Sequence, residues 1–161
     1  MSNNEKPITI EFNHLMIFAK NKQESADFLT WILGLPEPKQ AGFFLSVDFK
    51  NNVTFQYAEP GVDFITQHYA FLVTEPEFDG ILQRIKEKKM DYWADPRKQK
   101  PNEYNCNHGG RGLYFLDPSG HGMEIITRPY GSDVKNSSWN KVYAFKNSNY
   151  NANLKKSEIN V

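Results

Sequence analysis

The chain has 161 residues with 19 Lys+Arg against 19 Asp+Glu, so its net charge is zero. That balance excludes the basic footprint of a nucleic-acid or acidic-membrane binder, and no apolar run approaches the roughly 20 residues of a membrane span. A single cysteine, Cys106, excludes an internal disulfide and, with no apolar leader in MSNNEKP, predicts a soluble cytoplasmic protein.

The length suits a single domain, 1–161, with a real core. Aromatic residues make up 14% of the chain, enough for a packed interior or a ligand cup. Residues 1–7 are polar and read as loose. Residues 8–18 alternate, with Ile8, Ile10, Phe12, His14, Met16 and Phe18 on one face, which predicts a strand with His14 on its apolar side. Residues 22–33 have helical spacing and are terminated by Gly34 and Pro36. Two strands follow, 43–49 and 53–57, joined at Lys50-Asn51-Asn52.

After a linker at 58–62 the same order returns. Residues 66–73 form a strand carrying His68, and 77–89 an amphipathic helix with Phe78, Ile81, Leu82 and Ile85 inward. A short strand at 91–94 precedes a polar loop, 95–110, that holds Arg97, Lys98, Lys100, Cys106 and His108. The pattern predicts an internal duplication, with module one at about 8–57 and module two at about 66–130. Residues 131–161, rich in Asn, Ser and Lys, read as a polar C-terminal extension.

The most informative stretch closes the second module: RGLYFLDPSGHGMEIITRPY, 111–130. Leu113–Leu116 and His121–Thr127 read as strands, and Asp117-Pro118-Ser119-Gly120 as the turn between them. His121, directly after Gly120, is expected at the surface or in a structural role. Glu124 shares a strand face with Gly122 and Ile126, which looks like an inward face. An unpaired buried carboxylate costs several kcal/mol, so Arg, a protonated His or a metal should accompany it. His14, His68 and Glu124 together form an N/N/O set able to hold a divalent cation and leave positions open. On pattern alone the ordinary reading stands beside this one: strand histidines serve as hydrogen-bonded core residues, and strand glutamates face water.

The segments NHLMIFA, QHYAFLV and GLYFLDPSGHGMEIIT, in this order and spacing, resemble the vicinal oxygen chelate superfamily. That group contains glyoxalase I, extradiol dioxygenases, and fosfomycin- and bleomycin-resistance proteins. The resemblance covers about residues 8–130. It implies an α+β fold of two βαβββ modules that form a curved-sheet cup around a metal, with His14, His68 and Glu124 as ligands. Fe(II) or Mn(II) suits that set best, with Zn(II) and Ni(II) as further options.

The branch is a separate matter. Glyoxalase I takes a fourth, acidic ligand from the last strand of its first module; here that strand offers Thr54 and Gln56. Fosfomycin thiol transferases match around HYAF and YFLDPSGH. Their threonine after the first histidine is Met16 here, however, and a lysine after a tryptophan is Ala94, leaving Arg97, Lys98, Lys100 or Arg111 to replace those anion contacts. The run from His108 to Glu124 resembles extradiol dioxygenases, with Tyr114 as substrate-contacting tyrosine and His108 as second-sphere histidine. Their acid–base histidine before His68 is missing.

The expected function is therefore a metal-dependent enzyme, dioxygenase- or lyase-like, acting on a small oxygen-chelating molecule. The alternatives are a fosfomycin-type thiol transferase or other antibiotic-modifying enzyme, and a metal-free binding protein of the resistance type. The resemblance and the short connection at 58–65 also imply a homodimer, with His14 of one chain completing the ligand set of its partner.

Overall fold

The computed structural model describes residues 9–132, so residues 1–8 and most of the predicted C-terminal extension, 133–161, lie outside the described residues. The chain divides into two compact units at Phe64/Ile65, with Ile32–Gly34 grouping with the second. Each unit is a βαβββ module.

The first module runs β1 (His14–Phe18), α1 (Lys22–Leu33), β2 (Lys39–Ala41), β3 (Phe44–Asp48) and β4 (Thr54–Ala58). Its sheet order is β1-β4-β3-β2, with β1 parallel to β4 and the others antiparallel. The helix begins where the Asn21 side chain accepts the Glu24 N–H at 3.0 Å, an N-cap that satisfies one orphan donor. It ends at Gly34, whose φ of 70° allows Leu35 N–H to reach back to Thr30 O at 2.8 Å. The β3–β4 hairpin turns at the predicted Lys50-Asn51-Asn52, with Asn52 N–H donating to Phe49 O.

The second module repeats the order: β5 (His68–Leu72), α2 (Glu75–Glu87), β6 (Tyr92–Trp93), β7 (Gly112–Leu116) and β8 (Gly122–Ile126), in the sheet β5-β8-β7-β6. Thr74 and Glu77 form a reciprocal capping box at the start of α2. Phe78, Ile81 and Ile85 on that helix are fully buried, each contributing about 1.5–3 kcal/mol. Arg111 is held by Glu75 and Asp79, both at 2.6 Å, and lies over the Phe78 ring at 4.3 Å.

Three expectations change. The first strand starts at His14 rather than residue 8, and Ile10 and Phe12 before it are exposed. A strand at Lys39–Ala41 went unforeseen because all three of its residues are exposed; only its pairing with β3 defines it. The buried face of β1 carries Ile17, in register with buried Tyr57, while His14, Met16 and Phe18 lie on the exposed side. Both faces of this strand are apolar, so alternation separates them without telling which one the core takes. The same holds for β5: Phe71 is buried, whereas His68, Ala70 and Leu72 are exposed.

Candidate functional site

The open face of the second sheet gathers the candidate residues. Register fixes one row across it: Ala70 opposite Glu124, Glu124 opposite Tyr114, and Tyr114 opposite Trp93. His68 stands one rung away, opposite Gly122. Directly paired residues on adjacent strands point to the same side, so an imidazole, a carboxylate, a phenol and an indole share one surface.

Glu124 is 1% exposed although it lies on this open face. The groups above it do the covering. His68 Nε2 lies 3.0 Å from Glu124 Oε2; an ionised carboxylate only accepts, so Nε2 carries the proton in this arrangement. The Tyr130 hydroxyl donates to the same carboxylate, 2.9 Å from Oε1 and 3.1 Å from Oε2. Tyr114 also hydrogen-bonds to Glu124 and to Tyr130, and its phenol is held well above its ordinary pKa, first by burial and then by those bonds. Its ring centroid lies 5.9 Å from that of His68. The His68 side chain is half exposed, whereas that of Glu124 is 2% exposed. The pair thus presents a buried charge beneath an accessible nitrogen.

A small cleft opens beside the pair, between His68, Tyr114, Trp93 and Lys98. Lys98 Nζ sits 5.0 Å from the centre of the Trp93 ring. The Asp95 carboxylate accepts from the backbone N–H groups of Arg97, Gln99 and Lys100, which fixes the loop that carries Lys98. Of the four cations considered as anion contacts, Arg111 is committed to its two carboxylates, which leaves its guanidinium no free fork.

Each predicted site residue has a definite place. His68, Glu124 and Tyr114 come together. His14 belongs to the first unit, where its Nδ1 lies 2.8 Å from Asn13 Oδ1. His108 packs edge-on against Tyr130, ring centroids 4.7 Å apart. Among the described residues no three His, Cys, Asp or Glu side chains gather into a metal-holding group. His121, expected at the surface or in a structural role, is buried and structural: its Nδ1 accepts the Gln67 N–H at 2.9 Å and its ring meets that of Tyr69.

Sequence reasoning missed Tyr130. It follows Pro129 at the start of a turn in which Gly131 has φ 80° and Ser132 N–H returns to Pro129 O at 3.2 Å. The chain bends at Thr127 and Arg128 directly after β8, which returns the tyrosine over its own strand, and Pro-Tyr-Gly is the turn signal that follows.

The donor set fits a divalent cation as far as the second module goes. One imidazole nitrogen and one carboxylate oxygen meet at a point, and the carboxylate is buried with no Lys or Arg partner among the described ion pairs. Two such ligands do not by themselves complete a site.

Residues 11–125 match the family model described as Glyoxalase/Bleomycin resistance protein/Dioxygenase superfamily. The chain is 32% identical over 120 residues to the glutathione transferase FosA of Serratia marcescens, covering 70% of this chain and 77% of that protein. Among solved structures it is similar to oxidase ChaP-H1, at 47% identity and TM-score 0.75 over 76% of this chain and 99% of that one. For oxidase ChaP-H2 the values are 49% and 0.75, over 78% and 98%. With a family model spanning most of its length and both βαβββ modules in place, the chain belongs to the glyoxalase/bleomycin resistance protein/dioxygenase superfamily.

Proposed function

We propose that this protein is a metal-dependent enzyme of oxidase or dioxygenase type, acting on a small molecule that presents two adjacent oxygens. The observation that carries the reading is the His68–Glu124 pair, a buried carboxylate at 3.0 Å from a half-exposed imidazole on an open sheet face. The similarity to two oxidases across nearly their whole length supports the reaction class.

His68 and Glu124 would hold the ion, with His14 as the third ligand. His14 stands in β1 where His68 stands in β5, and β1 pairs with β4 as β5 pairs with β8. When bound, Fe(II) or Mn(II) supplies Lewis-acid and one-electron chemistry at a chelating pair of oxygens. The chain's own residues supply the rest. Glu124 would offset the ion's positive charge from a buried position. Tyr114, kept protonated by burial beside Glu124, donates to a substrate oxygen. Trp93, with the Lys98 ammonium over its ring, gives the cleft an aromatic wall and a cation, suited to a partly anionic substrate.

His14 is drawn from a second copy of the chain in this reading, giving a homodimer with shared sites. Its support is the exposed apolar face around His14, where Phe12, Met16 and Phe18 are all exposed and need cover. Mixing His14→Ala with Glu124→Ala chains is expected to restore activity that neither variant has alone. No restoration, with both variants folded and dimeric, rejects the shared site.

Oxygen uptake by Fe(II)-loaded protein with a panel of catechols and hydroquinones tests the reaction class. Uptake that depends on iron and disappears in Glu124→Gln supports the proposal. A second reading, thiol transfer, rests on the FosA similarity; formation of a glutathione adduct of fosfomycin without oxygen uptake selects it instead. Ligand binding with no affinity for added metal selects the metal-free binder.

A further inference from the structure

Building on the metal-site reading, we propose that Tyr130 is a positioning residue that holds the Glu124 carboxylate in its ligating orientation, and that His108 holds Tyr130. Tyr130 is 60% exposed, so its ring gains little from burial. Its hydroxyl nevertheless points inward onto a carboxylate that is 1% exposed, within 3.1 Å of both oxygens. A tyrosine with its body in water and its hydroxyl on a buried charge is placed for the hydroxyl.

The surroundings fix that placement from two sides. The turn Pro129–Ser132 is closed by the Ser132 hydroxyl and N–H, both donating to Pro129 O. On the other side, the loop Asn107–Gly109 is stitched to the same segment. His108 Nδ1 accepts the Gly131 N–H at 3.2 Å, and its ring stands at 87° to the Tyr130 ring. Arg111 N–H donates to Thr127 Oγ1 at 2.7 Å. Gly110 lets the loop come this close: a Cβ there would lie 2.6 Å from Thr127 Oγ1 and 2.5 Å from the Arg128 side chain.

His108 itself adopts a left-handed backbone, φ 57° and ψ 21°. A non-glycine residue holds that conformation at a cost that its surroundings must offset. The result is a relay of contacts from His108 to Tyr130 to Glu124, fixing the plane of the carboxylate while His68 approaches its Oε2. Hydrogen-bond partners of this kind set the orientation of ligating carboxylates, and removing one typically weakens metal binding by about 10–100-fold.

The test is titration of Mn(II) into the metal-free full-length chain, with free Mn(II) read by electron paramagnetic resonance and the thermal midpoint recorded in parallel. Tyr130→Phe removes one oxygen and keeps the ring. It is expected to raise the Mn(II) dissociation constant about tenfold with an unchanged thermal midpoint. His108→Ala is expected to raise it about threefold, and the double variant no further than Tyr130→Phe alone, because both act on one contact. An unchanged or tighter dissociation constant in Tyr130→Phe overturns the proposal and leaves the metal site standing. Additive effects in the double variant overturn the part assigned to His108. Failure of the unaltered chain to bind Mn(II) overturns the metal-site reading, and this inference with it.

Discussion

In the first module the row that crosses the middle of the sheet reads Met16, Gln56, Ser46, Lys39. In the second the same row reads Ala70, Glu124, Tyr114, Trp93. Each module places its histidine one rung away on its first strand, His14 and His68. The backbone frame is therefore duplicated while the chemistry is not. A carboxylate and its phenol partner occupy one copy; a neutral carboxamide and a serine occupy the other. The strand face is equally available in both, so the fold supplies the position and single side chains decide whether it holds charge. Gln56 stands where the second module has Glu124, so this row of the first sheet carries no carboxylate of its own.

The strongest way to break this contrast is Glu124→Gln, which makes the second row resemble the first. Metal affinity at neutral pH is expected to fall by more than about 100-fold, beyond what loss of an outer partner causes. Retention of metal with unchanged affinity, measured by the same titration, would sink the assignment of Glu124 as a ligand.

Tyr114→Phe sharpens the comparison from the neighbouring position, since its counterpart in the first row is Ser46. If the phenol donates to substrate, turnover is expected to fall about 100-fold while metal content stays the same. Loss of metal together with turnover would show instead that Tyr114 serves the ligand.

The converse change, Gln56→Glu, gives the first row the carboxylate it lacks. If His14 and Glu124 serve one ion as proposed, a second carboxylate near His14 is expected to tighten Mn(II) binding about tenfold, as added ligand charge does in other oxygen-ligand sites. Unchanged binding would place the first module's face outside the site.

The smallest expected effect separates the two modules by pH. Asp48 in the first sheet is held below its ordinary pKa of 3.8 by hydrogen bonds from Lys39 and Thr54. Its stabilisation is thus present above pH 3.8 and is lost as pH falls through the lower folded value. Both side chains of the Lys39–Asp48 pair are more than half exposed, so at physiological salt Asp48→Asn is expected to cost under about 0.5 kcal/mol. Asp117 in the second module's hairpin turn shifts the other way, raised chiefly by burial despite backbone N–H donors from His121, Ser119 and Gly120. Its penalty is present above the folded pKa and is relieved as pH falls through that value towards 3.8. Urea unfolding of Asp117→Asn against the unaltered chain, followed from pH 7 to 4, is expected to show the variant's relative stability declining on acidification. The opposite slope would contradict the shift.

The amino-acid sequence by itself determined both helices, the turns and every strand but β2, in their order. The helix ends at Asn21 and Gly34, the hairpin at Lys50-Asn51-Asn52 and the turn at Asp117–Gly120 are all local devices, set by capping and turn chemistry within a few residues. The duplication was legible for the same reason, and with it the likeness that implied His14, His68 and Glu124. Tertiary structure decided the rest. Which face of β1 and β5 is buried depends on which side the core forms, and two apolar faces look alike in one dimension. Strand β2 exists only because β3 lies beside it. Tyr130 meets Glu124 six residues away because the chain bends at Thr127 and Arg128 after β8, and His108 meets Tyr130 across 22 positions of sequence through a loop that Gly110 lets close. Contacts of that kind depend on where the folded backbone returns to itself, which no local pattern encodes.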